Sequence, residues 1–169
     1  ETQKFPEIKT ERPTEKAEKK KFPEIKAETL TEKEVVIPEI TEGKYALIII
    51  AFKRESEDQV NSWADPFIKE FGEREQITFY EVPMIPGNLE WMSGWIKSLM
   101  KSGISEHKHE NVATFYGQRS KYSEHFDIEN LKLAYTFLLN EAGEIIWRDR
   151  GSASEKSFKE LRSLVKENI

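Results

Sequence analysis

The sequence predicts an α/β domain in three layers, a mixed central sheet with helices on both faces and a β-hairpin on its N-terminal side. Three observations lead there. Residues 45–52, YALIIIAF, are apolar throughout rather than at alternate positions, as in a strand whose sheet is covered on both faces. Strand-like runs rich in Ile, Val and aromatic residues alternate downstream with stretches whose apolar residues recur at three- and four-residue steps. Near the C-terminus, residues 133–139 and 144–148 read as two strands around Asn140-Glu141-Ala142-Gly143, a compact turn with glycine where positive φ is needed.

Of the 169 residues 37% are hydrophobic, enough for one core of ordinary size with a tail. A formal charge of −5 with a pI near 5.4 and no basic stripe argues against a protein that holds nucleic acid by phosphate neutralisation. The sequence contains no cysteine, which excludes disulfides, thiolate metal sites and thiol redox chemistry. No apolar run approaches the roughly 20 residues that span a bilayer. Because the chain begins at Glu1 without methionine, a targeting segment or anchor removed from ahead of it is an expectation.

Residues 1–21 are rich in Lys, Glu, Pro and Thr and read as a charged disordered tether, with the domain expected over 22–169. Within and beyond the tether, Lys-Phe-Pro-Glu-Ile-Lys occurs at 4–9 and again at 21–26. Duplication of the segment that leads into the domain explains it; a docking motif is the alternative. Residues 27–30 and 34–37 around Thr31-Glu32 predict the hairpin, ended by Pro38. After strand 45–52, Ser56-Glu57-Asp58-Gln59 has the form of a capping box. Val60, Trp63, Ala64, Phe67, Ile68 and Phe71 follow as a buried helix face that ends at Gly72, with Pro66 expected to bend or split it near Asp65.

Residues 77–82 predict a second central strand stopped by Pro83. A helix over 89–101 carries Met92, Trp95, Ile96, Leu99 and Met100 on one face, with Trp91 at its margin. The plain reading of that face is core; the alternative, on Trp91, Met92, Trp95 and Met100, is an adaptable partner-binding surface. Gly103 is expected to cap this helix. His107 and His109 lie two apart in a charged loop without a third ligand, so they and His125 read as solvated rather than metal-binding, and no metal or other cofactor is expected. A strand over 112–116, a short helix within 118–126, and the hairpin of 133–148 follow. Ser152 to Glu155 reads as a second capping box, before a helix that buries Phe158, Leu161, Leu164 and Val165.

This order, with FKRESEDQVNSWADPF after the central strand, VATFYG before the short helix and AYTFLLNEAGEIIWRDRGSASE at the last hairpin, resembles the thioredoxin-like superfamily in its peroxiredoxin and thiol-reductase branches. It is most similar there to the cysteine-free, thioredoxin-like assembly factors of mitochondrial ATP synthase. The resemblance covers residues from about Phe22 onward. It implies a thioredoxin-like sandwich and marks degenerate redox-site positions. The loop that holds a nucleophilic cysteine in redox members is here Arg54-Glu55-Ser56-Glu57-Asp58, and their cis-proline position falls on Ala134.

Ser56 lacks an identifiable base, so nucleophilic catalysis has no visible activator. Lys53 and Arg54 near a helix N-terminus are candidate anion ligands, opposed by Glu55, Glu57 and Asp58. The expectation is therefore a binding module without enzymatic activity. The resemblance implies a chaperone-like assembly role, a protein partner such as a membrane-complex subunit, and residence at the mitochondrial inner membrane, reached through that partner or a removed anchor. The alternatives are a non-thiol enzyme or small-ligand protein using loop 53–58, and a tethered structural domain of a cell envelope.

Overall fold

The computed structural model of the chain describes residues 20–169. Most of the tether expectation, with the first hexapeptide copy, lies outside them. The sheet has seven strands: β1 (Ile25–Thr29), β2 (Glu34–Ile37), β3 (Tyr45–Ala51), β4 (Ile77–Pro86), β5 (Ala113–Gly117), β6 (Tyr135–Leu139) and β7 (Ile145–Arg150). Their spatial order is β2-β1-β5-β4-β3-β6-β7. The β3–β4 and β4–β5 pairs are parallel and the other pairs antiparallel, so the sheet is mixed with the apolar run at its centre. Among the described residues four α-helices accompany it: α1 (Glu57–Phe71), α2 (Ser93–Gly103), α3 (Ser120–His125) and α4 (Glu155–Asn168).

β3 accounts for the unbroken apolar pattern. Ala46 to Ile50 are fully buried, with Leu47 and Ile49 on the face under α1 and α4 and Ala46, Ile48 and Ile50 on the opposite face. The first face is filled by Trp63, Phe67 and Phe71 of α1 and Phe158, Leu161 and Val165 of α4. Trp63 meets Trp147 edge-on at 5.3 Å and donates its indole N–H to the Gly151 carbonyl at 2.8 Å, so its one polar atom is satisfied in the core. The second face is filled by the segment leading into β1 and by α3, with the rings of Phe22, Phe126 and Phe137 packed together in tilted and edge-on pairs.

The second hexapeptide copy is thus part of the domain. Phe22 and Ile25 are buried, and the preceding Lys21 already bridges Glu144 beside β7. At the 140–143 turn, Gly143 has φ +77°, and the Asn140 side-chain oxygen accepts from the N–H groups of Ala142 and Glu144.

Several elements depart from the sequence reading. Pro83 does not stop β4. The strand reaches Pro86 because it changes neighbour there: pairing with β3 ends at Ala51 opposite Pro83, and pairing with β5 covers Met84 to Pro86. The helix over 89–101 is a 3-10 segment, Gly87–Met92, followed by α2, which runs through Gly103. Pro66 lies inside α1 without splitting it. The C-terminal capping box is formed by Ser154 and Ser157, each bonding the other's backbone N–H, rather than by Ser152 and Glu155. The expected core face of α2 is also corrected: none of its residues is buried.

Candidate functional site

The loop leaving β3 is placed by bonds to the segment that enters β6. Ser56 occupies the N-cap position of α1, but its side chain makes no capping bond. Its backbone lies in a 3-10 turn, Arg54–Ser56, and its hydroxyl donates to the Lys132 carbonyl at 2.8 Å. Gln59 completes the junction, its amide NH2 donating to the same carbonyl at 3.1 Å and its oxygen accepting the Ala134 N–H at 2.8 Å. Capping fails because both side chains have acceptors and donors across the fold that position α1 against β6. Ser56 and Gln59 thus lie against the Lys132–Ala134 segment. Ala134 supplies a backbone N–H that a proline there would lack. The cis peptide among the described residues is instead Ile37-Pro38, at the end of the N-terminal hairpin.

Beside this junction an apolar groove of about 410 Å³ opens. It is lined by the end of β3, the first turns of α1, β4 from Glu81 to Pro86, and α2. Val60, Pro83, Ile85, Ile96, Leu99 and Met100 are among its apolar lining residues. Lys53 and Arg54 also line it, both exposed, and among the described residues neither forms an ion pair. Of the loop's acids only Glu57 reaches the lining; Glu55 and Asp58 do not.

α2 forms one side of this groove and is tied to the sheet by a few side-chain bonds. Lys97 reaches Glu28 at 2.6 Å and Glu32 at 3.3 Å, and the Thr114 hydroxyl donates to the Met100 sulfur at 3.6 Å. The 3-10 segment ahead of α2 exposes Trp91 at 82%, and α2 itself exposes Trp95 at 60% and Leu99 at 45%, the last two one turn apart. Of the four expected partner-binding residues, Met100 lines the groove, Trp91 and Trp95 stand outside its lining, and Met92 is half-buried. Ile96 and Leu99, assigned to a core face by their spacing, belong to the groove.

A buried ionic cluster closes the inner part of the site and was not anticipated. Glu81 of β4, 6% exposed, lines the groove with its carboxylate 3.2 Å from the Lys108 ammonium, and Lys108, 5% exposed, also reaches Asp65 at 2.8 Å and the Asn61 side-chain oxygen at 3.1 Å. Burial pushes the Glu81 carboxyl above its usual range against the pull of Lys108, with Asp65 and Glu57 adding to the rise. Burial acts to lower Lys108, but Glu81 and Asp65 hold it above its ordinary value, so it stays a cation. A lone carboxylate inside the strand ITFYEV was the available signal, since a buried charge requires a partner.

The neighbouring histidines divide. His107 is exposed, whereas His109 is half-buried with its Nε2 2.8 Å from the Ile104 carbonyl, so the solvated reading is corrected for His109. Among the described residues no group of three or more His, Asp and Glu is arranged to hold a metal ion, and no helix is long and apolar enough to cross a membrane.

Comparison with solved structures places this architecture. A putative thiol:disulfide interchange protein DsbE from Chlorobium tepidum superposes with a TM-score of 0.61 at 9% identity, covering 88% of this chain and 95% of that one. The exposed lipoprotein thioredoxin of Streptococcus pneumoniae gives 0.59 at 13% identity, covering 86% and 99%. A peroxiredoxin-like protein from Aquifex aeolicus gives 0.61 at 14% identity, covering 96% and 92%. At such identities the likeness concerns the fold, which is thioredoxin-like. No curated protein sequence matches the chain. The family model described as ATP10 protein matches residues 11–167, nearly the whole of the sequence, and the chain belongs to that family.

Proposed function

We propose that the protein is a non-catalytic, thioredoxin-like binding module that assists assembly of a membrane complex such as ATP synthase, and that it holds a protein client at the groove and the outer surface of α2. One observation carries this reading: the stripe of Trp91, Trp95 and Leu99 lies exposed beside a largely apolar groove. Water-exposed tryptophans next to an apolar concavity are the raw material of an interface anchor. Membership of the ATP10 protein family supports an assembly-related role. The absence of cysteine from a fold shared with thiol oxidoreductases supports binding without thiol chemistry.

The reading is tested by affinity purification from native membranes with the unaltered chain and with a Trp95→Ser, Leu99→Ser variant. A membrane subunit of ATP synthase should accompany the unaltered chain and be lost with the variant, and neither sample should catalyse thiol-disulfide exchange or peroxide reduction. Turnover by the purified, metal-free chain would refute the non-catalytic part. A second reading, a small-ligand or non-thiol enzymatic site on loop 53–58, is favoured by Lys53 and Arg54 on a cavity of ligand-pocket size. Lys53→Ala with Arg54→Ala distinguishes them, since loss of a small-ligand interaction with client capture intact would support it.

A further inference from the structure

We infer that the client segment held in the groove carries a carboxylate beside its apolar side chains, and that this carboxylate meets Lys53 and Arg54. The inference rests on the reading of the groove as the client site and names the chemistry of what enters it. A largely apolar lining selects an occupant that buries apolar side chains. Four charged side chains share that lining: Lys53, Arg54, Glu57 and Glu81. Glu81 has its own cation, Lys108, at 3.2 Å. Glu55 and Asp58, which oppose an anion when only the sequence is considered, stay outside the groove. Two cations without ion pairs among the described residues therefore face one carboxylate, Glu57.

Water solvates Lys53 and Arg54 in the free protein, where both are exposed. An apolar segment that covered them would take that hydration away, and burying an unpaired charge is costly. A negative group in the segment removes the cost, and the planar Arg54 guanidinium can donate two parallel hydrogen bonds to a carboxylate. A glutamate, an aspartate or a free chain terminus meets this requirement. A basic segment would instead crowd the two cations.

The test uses the full chain and three synthetic peptides of one apolar sequence with Glu, Gln or Lys at the same central position, together with dodecanoate, by isothermal titration. The Glu peptide should bind about tenfold more tightly than the Gln peptide, the increment of a charge-assisted hydrogen bond, and the gap should narrow as salt rises. Lys53→Ala with Arg54→Ala should bring the Glu peptide to the affinity of the Gln peptide. Equal binding of Glu and Gln peptides, or tightest binding of the Lys peptide, overturns the inference. If that binding is still lost on Leu99→Ser, the client-site reading stands. Binding of dodecanoate with no peptide binding overturns both, in favour of an anionic amphiphile as the occupant.

Discussion

At the scale of residues, the charge on Lys108 is demanding, because it lies buried between Glu81, Asp65 and Asn61. Lys108→Met should cost about 3–5 kcal/mol in denaturant unfolding by leaving Glu81 buried without its cation. Adding Glu81→Leu to that variant should recover much of the loss; no recovery would mean that the cluster matters through packing alone. A second ionic site ties α1 to α4: Glu70 meets Arg162 at 2.6 Å and Lys166 at 3.5 Å. Partial burial would raise the Glu70 carboxyl, but Arg162 and Lys166 hold it below its usual value. Its contribution is therefore present above the ordinary carboxylate range and lost as pH falls through the depressed folded value. Stability measured from about pH 5 downward should fall less steeply in Glu70→Gln than in the unaltered chain, and parallel profiles would contradict this. These residues mark a limit of sequence reading. Ser56 and Gln59 have the composition of a capping box, yet their partners are Lys132 and Ala134, more than seventy positions away, and no local rule reports such distant acceptors.

Among the elements, β3 and α2 were read from the same kind of evidence with opposite outcomes. The apolar run of β3 admits few environments other than a doubly covered strand, and it is buried as expected. The apolar stripe of α2 favours a core face by its spacing but also fits a docking face, because periodicity records which residues lie together and not what covers them. Its exposed tryptophans give the two cases different mutational signatures. Trp95→Ser with Leu99→Ser should change unfolding stability by no more than about 0.5 kcal/mol per site, whereas a core role would cost several times more. The continuation of β4 past Pro83 was equally hidden. It depends on β5 taking over as neighbour where β3 ends, which is a property of strand order and not of the strand's own residues.

For the whole molecule, the thioredoxin-like frame was legible because the order of elements along the chain, the 140–143 turn and the apolar central strand agree with one another. The repeat near the N-terminus was legible only in part. Ten of the thirteen residues from Lys4 to Lys16 match those from Lys21 to Lys33, well beyond the hexapeptide. The three that differ put Thr10, Arg12 and Pro13 in place of Ala27, Thr29 and Leu30, all buried in or next to β1. Pro13 also lacks the N–H that Leu30 donates to the Val112 carbonyl at 3.0 Å, so the second copy alone suits this place in the sheet. The fold thus matches that of a putative thiol:disulfide interchange protein, while this chain offers a groove, two cations and an exposed aromatic stripe. Photo-crosslinking in native membranes, from a photoreactive residue at position 95 and, as a control, at exposed position 159 on α4, tests client docking at that face most directly. An adduct with a membrane subunit of ATP synthase from position 95 and none from 159 is the predicted result; equal adducts from both positions, or an adduct from 159 alone, would contradict it.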